Sequence, residues 1–251
     1  MSWIESASTH FRARHDSRDT DEAVRVLSLL ERTSARLAAD FPRPAPELTV
    51  VLHRRPAELV LARPQVALNW WTTAPAARRY IAGWLGAHEL HVLSADALDD
   101  RASGVPGSRE MLAYTAPALY ARRLITANND DLQRVPRAAR PALSVRWAWL
   151  WEGAARWFAG QSDHARPAIA RRLREGRSPT FPPTRSDAAL LGPTVIDLVA
   201  REAGRRAAAN LACRLHRGGP RAALVKAFGG RALHHTEGVW RTHLAQLAAA
   251  G

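Results

Sequence analysis

The chain has 251 residues, of which 47% are apolar and 24% are charged, so it can bury a sizeable core and disorder is not expected. Its one cysteine, Cys213, excludes an intramolecular disulfide and a thiolate metal cluster, and its helical Ala/Leu-rich surroundings favour a core residue over a nucleophile. The sequence contains neither a basic-then-apolar leader nor a run of about eighteen apolar residues, so we expect a cytoplasmic protein that does not cross a membrane.

The formal net charge of +13 raises the question of nucleic-acid binding. Every basic residue except Lys226 is an arginine, which a strong G+C codon bias would also produce. The arginines occur in separated pairs such as Arg54-Arg55 and Arg122-Arg123, and no nucleic-acid-binding motif accompanies them. We keep nucleic-acid binding as an alternative and expect solvated helix faces instead.

The first hundred residues predict strands and short helices in alternation. Residues 10–15 alternate large and polar groups like a strand, and residues 19–39 have helical periodicity after an acidic start. Residues 48–53 predict a second strand, and residues 56–61 a short helix that Pro64 ends.

A hairpin follows, with strands at residues 79–84 and 89–93 joined by a turn at 85–88. From Ser108 onward nearly everything is predicted to be helical. The fold class is therefore α+β, with a small, mixed, mainly antiparallel sheet in an N-terminal lobe (1–107) and a mostly helical C-terminal lobe (108–251). We expect the two lobes to form one compact domain.

The most informative segment is residues 149–158, which read W-L-x-E-G-x-A-x-x-F and carry Glu152. This segment resembles the third-ligand segment of gluzincin, or peptidase MA-like, zinc peptidases. The resemblance extends to the L-x-V-V-L-H strand at 48–53, the strand ending at 91–94, and the closing segments 227–230 and 239–241. It implies a thermolysin-like architecture, with a substrate cleft between the sheet edge and a metal-bearing helix.

The H-E-x-x-H helix that binds the metal in such peptidases has no counterpart in this chain. Residues 110–122 align without a gap with the family pattern E-V-L-x-H-E-L-T-H-V-A-T-R. The alignment places Tyr114 and Ala118 at the two histidines and Thr115 at the general-base glutamate. The resemblance therefore implies a vestigial site of Tyr114, Thr115, Ala118 and Glu152, with no catalytic, cofactor-binding or metal-binding residue and with zinc lost.

Pro117 lies inside this aligned helix and predicts a kink or an irregularity near residues 113–116. Without a metal, a buried Glu152 needs another counter-charge. The candidates are Arg156, Arg122 or Arg123, and a hydrogen bond from Tyr114. We hypothesise that Tyr114 and an arginine occupy the vacated metal position.

The segment from His88 to His91 reads H-E-L-H and looks like a truncated metal motif. Its histidines are three residues apart on a predicted strand and turn, so they point to opposite faces. We interpret it as a polar edge strand with two partly exposed histidines. Trp147, Trp149, Trp151 and Trp157 predict an aromatic core stripe, with an aromatic-lined groove as the alternative.

Taken together, the sequence predicts a catalytically inactive, peptidase-like protein that binds a peptide or protein partner through the former cleft. One alternative is a hydrolase with relocated ligands such as His88 or His91. The other is the basic nucleic-acid-binding protein considered above.

Overall fold

The computed structural model describes residues 3–175 and 178–250, in which a five-stranded sheet is followed by helices. The strands are β1 (Trp3–Ala7), β2 (Arg12–Asp16), β3 (Thr49–His53), β4 (Gly83–Leu85) and β5 (Glu89–Leu93). The helices between strands are α1 (Thr20–Leu37), α2 (Pro56–Ala62), α3 (Gln65–Thr72) and α4 (Pro75–Arg78). The later helices are α5 (Ala95–Arg101), α6 (Ser108–Ala113), α7 (Thr115–Ala127), α8 (Asp130–Gln133), α9 (Arg140–Arg146), α10 (Ala148–Ala159), α11 (Arg166–Arg174), α12 (Ala188–Ala203), α13 (Arg205–Ala212), α14 (Gly219–Ala227) and α15 (Leu233–Ala249). None of these helices combines the length and the apolar character that a membrane span needs.

The strand order is β1-β2-β3-β5-β4, and this order corrects the expectation of a mainly antiparallel sheet. The central pairs β2/β3 and β3/β5 are parallel, and only the outer pairs β1/β2 and β4/β5 are antiparallel. The parallel pairs arise because helices connect their strands, which returns the chain to the same end of the sheet. Mixed α+β structure is thus confirmed, with the sheet confined to the first hundred residues.

The predicted strands at 48–53 and 89–93 and the helix at 19–39 correspond to β3, β5 and α1. The strand predicted at 79–84 is instead reduced to β4. The residues before β4 continue the turn of α4, since Tyr80 N and Ile81 N donate to the carbonyls of Ala77 and Arg78. The indole Nε1 of Trp70 donates to Ile81 O at 2.8 Å, which holds this turn against α3.

The predicted irregularity near Pro117 is confirmed as a break between two helices. Helix α6 ends at Ala113 and α7 begins at Thr115, with Tyr114 between them at φ −81° and ψ 11°. Pro117 consequently lies in the first turn of α7, where its missing N–H would have had no helical partner.

Helix α10 lies at the centre of the helical part, packed against α7 and α12. Trp147, Trp149 and Trp151 are buried in the core, which confirms the aromatic core stripe for these three, while Trp157 is half-buried.

The contact between α10 and α12 is a backbone contact made at two glycines. A Cβ on Gly153 would lie 2.4 Å from the carbonyl carbon of Gly192, and a Cβ on Gly192 would lie 2.5 Å from Trp149 O. Neither position can accept a side chain unless the helices move apart. The glycine of the W-L-x-E-G segment is therefore explained by helix packing.

The sheet contains a buried polar chain that the sequence did not predict. A hydrogen bond of 2.9 Å joins His53 Nε2 to His91 Nδ1, and His91 Nε2 lies 3.0 Å from Glu89 Oε2. Arg63 Nη2 donates to the same carboxylate at 2.7 Å. The interpretation of His91 as a partly exposed residue of an edge strand is wrong, because β5 lies inside the sheet and His91 is buried. His88, by contrast, is exposed.

Replacing Gly153 with alanine should lower the free energy of unfolding by about 3 kcal/mol, because the added methyl group meets backbone rather than a flexible side chain. The matched control is Gly238→Ala on α15, where a Cβ meets nothing within 4 Å. That exposed helical change should stabilise the protein by about 0.5–1 kcal/mol. Urea denaturation measures both, and equal stability of the two variants would contradict the close helix contact.

Burial, with His91 and Arg63 nearby, lowers the pKa of His53 to about 4. Below the ordinary histidine pKa near 6.5, this imidazole becomes protonated in the unfolded chain but stays neutral in the folded chain. Stability should therefore be complete above pH 6.5 and fall by about 3 kcal/mol as the pH drops to about 4. We expect His53→Gln to remove this part of the pH dependence in urea titrations at pH 7, 5.5 and 4. Identical pH profiles for the two proteins would disprove it.

Candidate functional site

A cleft with a volume of about 180 Å³ lies between β4, at the edge of the sheet, and α7, with α10 also lining it. Asn69, Thr73 and Arg185 also contribute to its walls. Strand β4 lies close to both β5 and α7 at Gly83, which has no side chain; a Cβ there would lie 2.5 Å from His91 O in β5. A Cβ there would lie 3.0 Å from both Leu119 Cδ1 and Thr115 Cγ2.

Helix α7 presents one face to this cleft, formed by Thr115, Ala118, Leu119 and Arg122. These positions follow the i, i+3, i+4, i+7 spacing of a single helix face. Ala118 and Arg122 are one turn apart. The Thr115 hydroxyl donates to Leu112 O at 2.7 Å, so its hydrogen is already used at the start of the helix.

Glu152 projects from α10 and is neutralised by two arginines. Arg122 Nη1 donates to Glu152 Oε1, and Arg156 Nε lies 3.8 Å from Glu152 Oε2. The Glu152 side chain is 26% exposed and that of Arg122 is 32% exposed, so the pair lies at the boundary between core and solvent. The structure thus supplies the counter-charge that a buried carboxylate requires.

Arg156 is buried more deeply than its partners and is held by several acceptors. Its Nη1 donates to Tyr80 O at 3.2 Å and to Gln161 Oε1 at 2.7 Å. Gln161 in turn donates to Met111 O. Arg156 Nε is buried without a hydrogen-bond partner among the described residues. Burial lowers the pKa of Arg156, and Glu152 opposes that effect.

The predicted site residues are only partly brought together. Thr115, Ala118 and Glu152 line one cleft, whereas Tyr114 is outside its lining, with its ring centroid 5.5 Å from that of His164. Of the groups proposed to balance Glu152, both Arg122 and Arg156 do so and Tyr114 does not. The pair on α7 that faces Glu152 is Ala118 and Arg122, one turn later than the pair given by the alignment.

The donor set of the cleft does not fit a zinc ion. Zinc sites in proteins use histidine, cysteine and carboxylate ligands, usually three or four of them. Glu152 is the only such residue in the lining, and its carboxylate is already bound by Arg122. Elsewhere in the described residues, no group of three or more histidine, cysteine or acidic side chains could hold a metal ion.

Strand β4 has one edge paired and one edge free. Ala82 O and Gly86 N bond to Leu93 N and Glu89 O, and Trp84 is registered with His91 between them. In an antiparallel pair, only every second residue of a strand forms hydrogen bonds with the neighbouring strand. The N–H and C=O groups of Gly83 and Leu85 therefore point away from β5. Outside the β4/β5 ladder no hydrogen bond to these groups is present within the described residues; Gly83 is buried and Leu85 is half-buried.

The sequence did not single out Arg185, Gly83 or Leu85. Arg185 precedes α12 and lines the cleft from a segment with no motif. The role of Arg122, by contrast, could have been recognised from the sequence. Helix α7 begins at Thr115, so Ala118 and Arg122 lie one turn apart on a single helix, whereas Tyr114 and Ala118 do not.

Two other candidates lie outside the cleft. Burial raises the pKa of Cys213 to about 12, so its thiol stays protonated and unreactive at neutral pH. His88 and His91 do not converge, since His91 points into the buried chain with His53 and His88 is exposed.

Comparison of the chain with protein-family models, with curated proteins and with solved structures finds no match. The resemblance to zinc peptidases therefore remains an expectation from the sequence.

An engineered zinc site can test which residues of α7 face Glu152. Ala118→His combined with Arg122→His places two histidines one turn apart facing Glu152, which makes three ligands for zinc. We expect this variant to bind Zn²⁺ at least ten times more tightly than the unmodified protein in calorimetry, and Glu152→Ala to remove the gain.

The matched control is Tyr114→His combined with Ala118→His, the register that the alignment gives. Since Tyr114 lies outside α7 and outside the cleft, this variant should show no gain in zinc affinity. Zinc binding by the control in place of the first variant would show that Glu152 faces the other helix turn.

Proposed function

We propose that the protein is a catalytically inactive relative of gluzincin peptidases that binds an extended segment of a peptide or protein partner in the cleft between β4 and α7. The supporting arrangement is a mixed sheet followed by helices, with a cleft between the sheet edge and the helix that faces Glu152. This is the order that the thermolysin-like architecture requires.

The observation that carries the binding role is the free edge of β4. Gly83 and Leu85 offer two N–H donors and two C=O acceptors along one line, at the wall of a cleft. An extended peptide satisfies such groups by adding a strand to the sheet. Because main-chain groups make these bonds, the pairing itself requires no particular side chain of the partner.

We propose no catalytic activity because of the side chains that α7 places in the cleft. Ala118 supplies no ligand, Leu119 supplies no base, and Arg122 is a permanent cation with no lone pair to offer a metal. The arginine balances the charge of Glu152. It cannot activate a water molecule for attack on a peptide bond.

The binding mode is tested by Leu85→Pro, which deletes the outward N–H of β4 and leaves the bonds to β5 untouched, since proline is tolerated on a free strand edge. A display library of random eight-residue peptides selected on the unmodified protein should yield binders. We expect the synthetic peptide from that selection to bind Leu85→Pro at least ten times more weakly in calorimetry. Leu85→Ala, which keeps the N–H, should bind within about threefold of the unmodified protein.

Undiminished binding by Leu85→Pro would rule out strand addition at β4. The absence of catalysis is measured separately with fluorogenic casein in the presence and absence of a chelator. We expect no chelator-sensitive cleavage, and its appearance would overturn the inactive assignment.

A further inference from the structure

The charges in the cleft are unbalanced. Three arginines, Arg122, Arg156 and Arg185, line it together with the single carboxylate of Glu152. A guanidinium remains protonated at every physiological pH. One carboxylate therefore leaves two positive charges uncompensated in a partly enclosed space.

The three arginines differ in how many of their N–H donors are already used in hydrogen bonds. Arg156 donates from Nη1 to Tyr80 O and Gln161 Oε1, and its Nε, beside Glu152, is buried without a hydrogen-bond partner among the described residues. Arg122 gives one nitrogen to Glu152 and is one-third exposed. Both lie beside Glu152, whose carboxylate offsets part of their charge.

Arg185 has no acidic partner among the described residues. Its one hydrogen bond runs from Nη2 to Asn69 Oδ1 at 3.4 Å, which is long for a charged donor. Its guanidinium thus keeps most of its donors and its full charge. Asn69, Arg185 and the free edge of β4 border the same cleft.

These positions add a requirement to the strand addition proposed above. A peptide lying along Gly83 and Leu85 would expose its end or one of its side chains to the uncompensated charge. A carboxylate there can accept paired hydrogen bonds from a guanidinium, and such charge-assisted bonds are about twice as strong as neutral ones. A lysine or arginine at that point would face like charges.

Resting on that proposed function, we infer that the cleft selects peptides carrying a carboxylate, which is bound by Arg185 in the positive field of Arg122 and Arg156. The carboxylate can be a free C-terminus or an acidic side chain, since both present the same two oxygens. The ligand class is therefore an extended peptide segment that carries a carboxylate.

The probes are three tetrapeptides labelled at the N-terminus with a dansyl group, which is uncharged at neutral pH. The first is Ala-Val-Ala-Val with a free C-terminus, the second is the same peptide as its amide, and the third is the amide with Glu in place of the last Val. Fluorescence anisotropy at low salt should show at least one carboxylate peptide binding ten times more tightly than the neutral amide. A preference for the first probe identifies a chain terminus as the ligand, and a preference for the third identifies a side chain.

Arg185→Gln should reduce the preference for the carboxylate peptides over the amide to below threefold. The matched control is Arg174→Gln, an exposed arginine on α11 outside the cleft lining, which should keep the full preference. Thermal melting verifies that both variants are folded. Raising the salt concentration should weaken the carboxylate peptides more than the amide.

The outcomes separate the two proposals. Equal binding of all three peptides overturns carboxylate selection and leaves strand addition intact. A preference that survives Arg185→Gln overturns the role of Arg185. Failure of all three peptides to bind overturns strand addition at β4 and the carboxylate selection that depends on it.

Discussion

The closeness of α10 and α12 is the constraint on which the cleft depends. Gly153 and Gly192 let the two backbones meet, so α10 is fixed at its centre rather than held by adjustable side chains. Glu152 is adjacent to this fixed point and projects toward α7. Its position relative to Arg122 therefore follows from a backbone contact, and small shifts of surrounding side chains leave it unchanged.

The carboxylate of Glu152 belongs to a network of ion pairs. The carboxylate lies between a partly exposed guanidinium and a buried one, so its charge is balanced without a metal ion. The cleft nevertheless stays positive, because Arg185 adds a charge with no acidic partner in the described part of the chain. In the proposed binding mode, this positive charge attracts the carboxylate of a peptide.

The free edge of β4 is limited in a way that suits a specific partner. Long exposed edges invite unspecific pairing with other chains. Strand β4 is only three residues long, and α7 and Arg185 border its free side. In the proposed strand addition, a partner would have to fit the cleft in order to pair with Gly83 and Leu85, and this would restrict which extended segments gain the main-chain hydrogen bonds.

The sequence by itself determined the α+β class, the helix break before Pro117, the buried tryptophan stripe and the need of Glu152 for a counter-charge. Each follows from local periodicity or from the chemistry of one residue type. Only the tertiary structure decided the parallel direction of the central strands, the choice of Arg122 and Arg156 over Tyr114, and the inclusion of Arg185. These depend on how segments distant in sequence approach one another, and the Gly153 to Gly192 contact that sets the approach is visible only when both helices are in place.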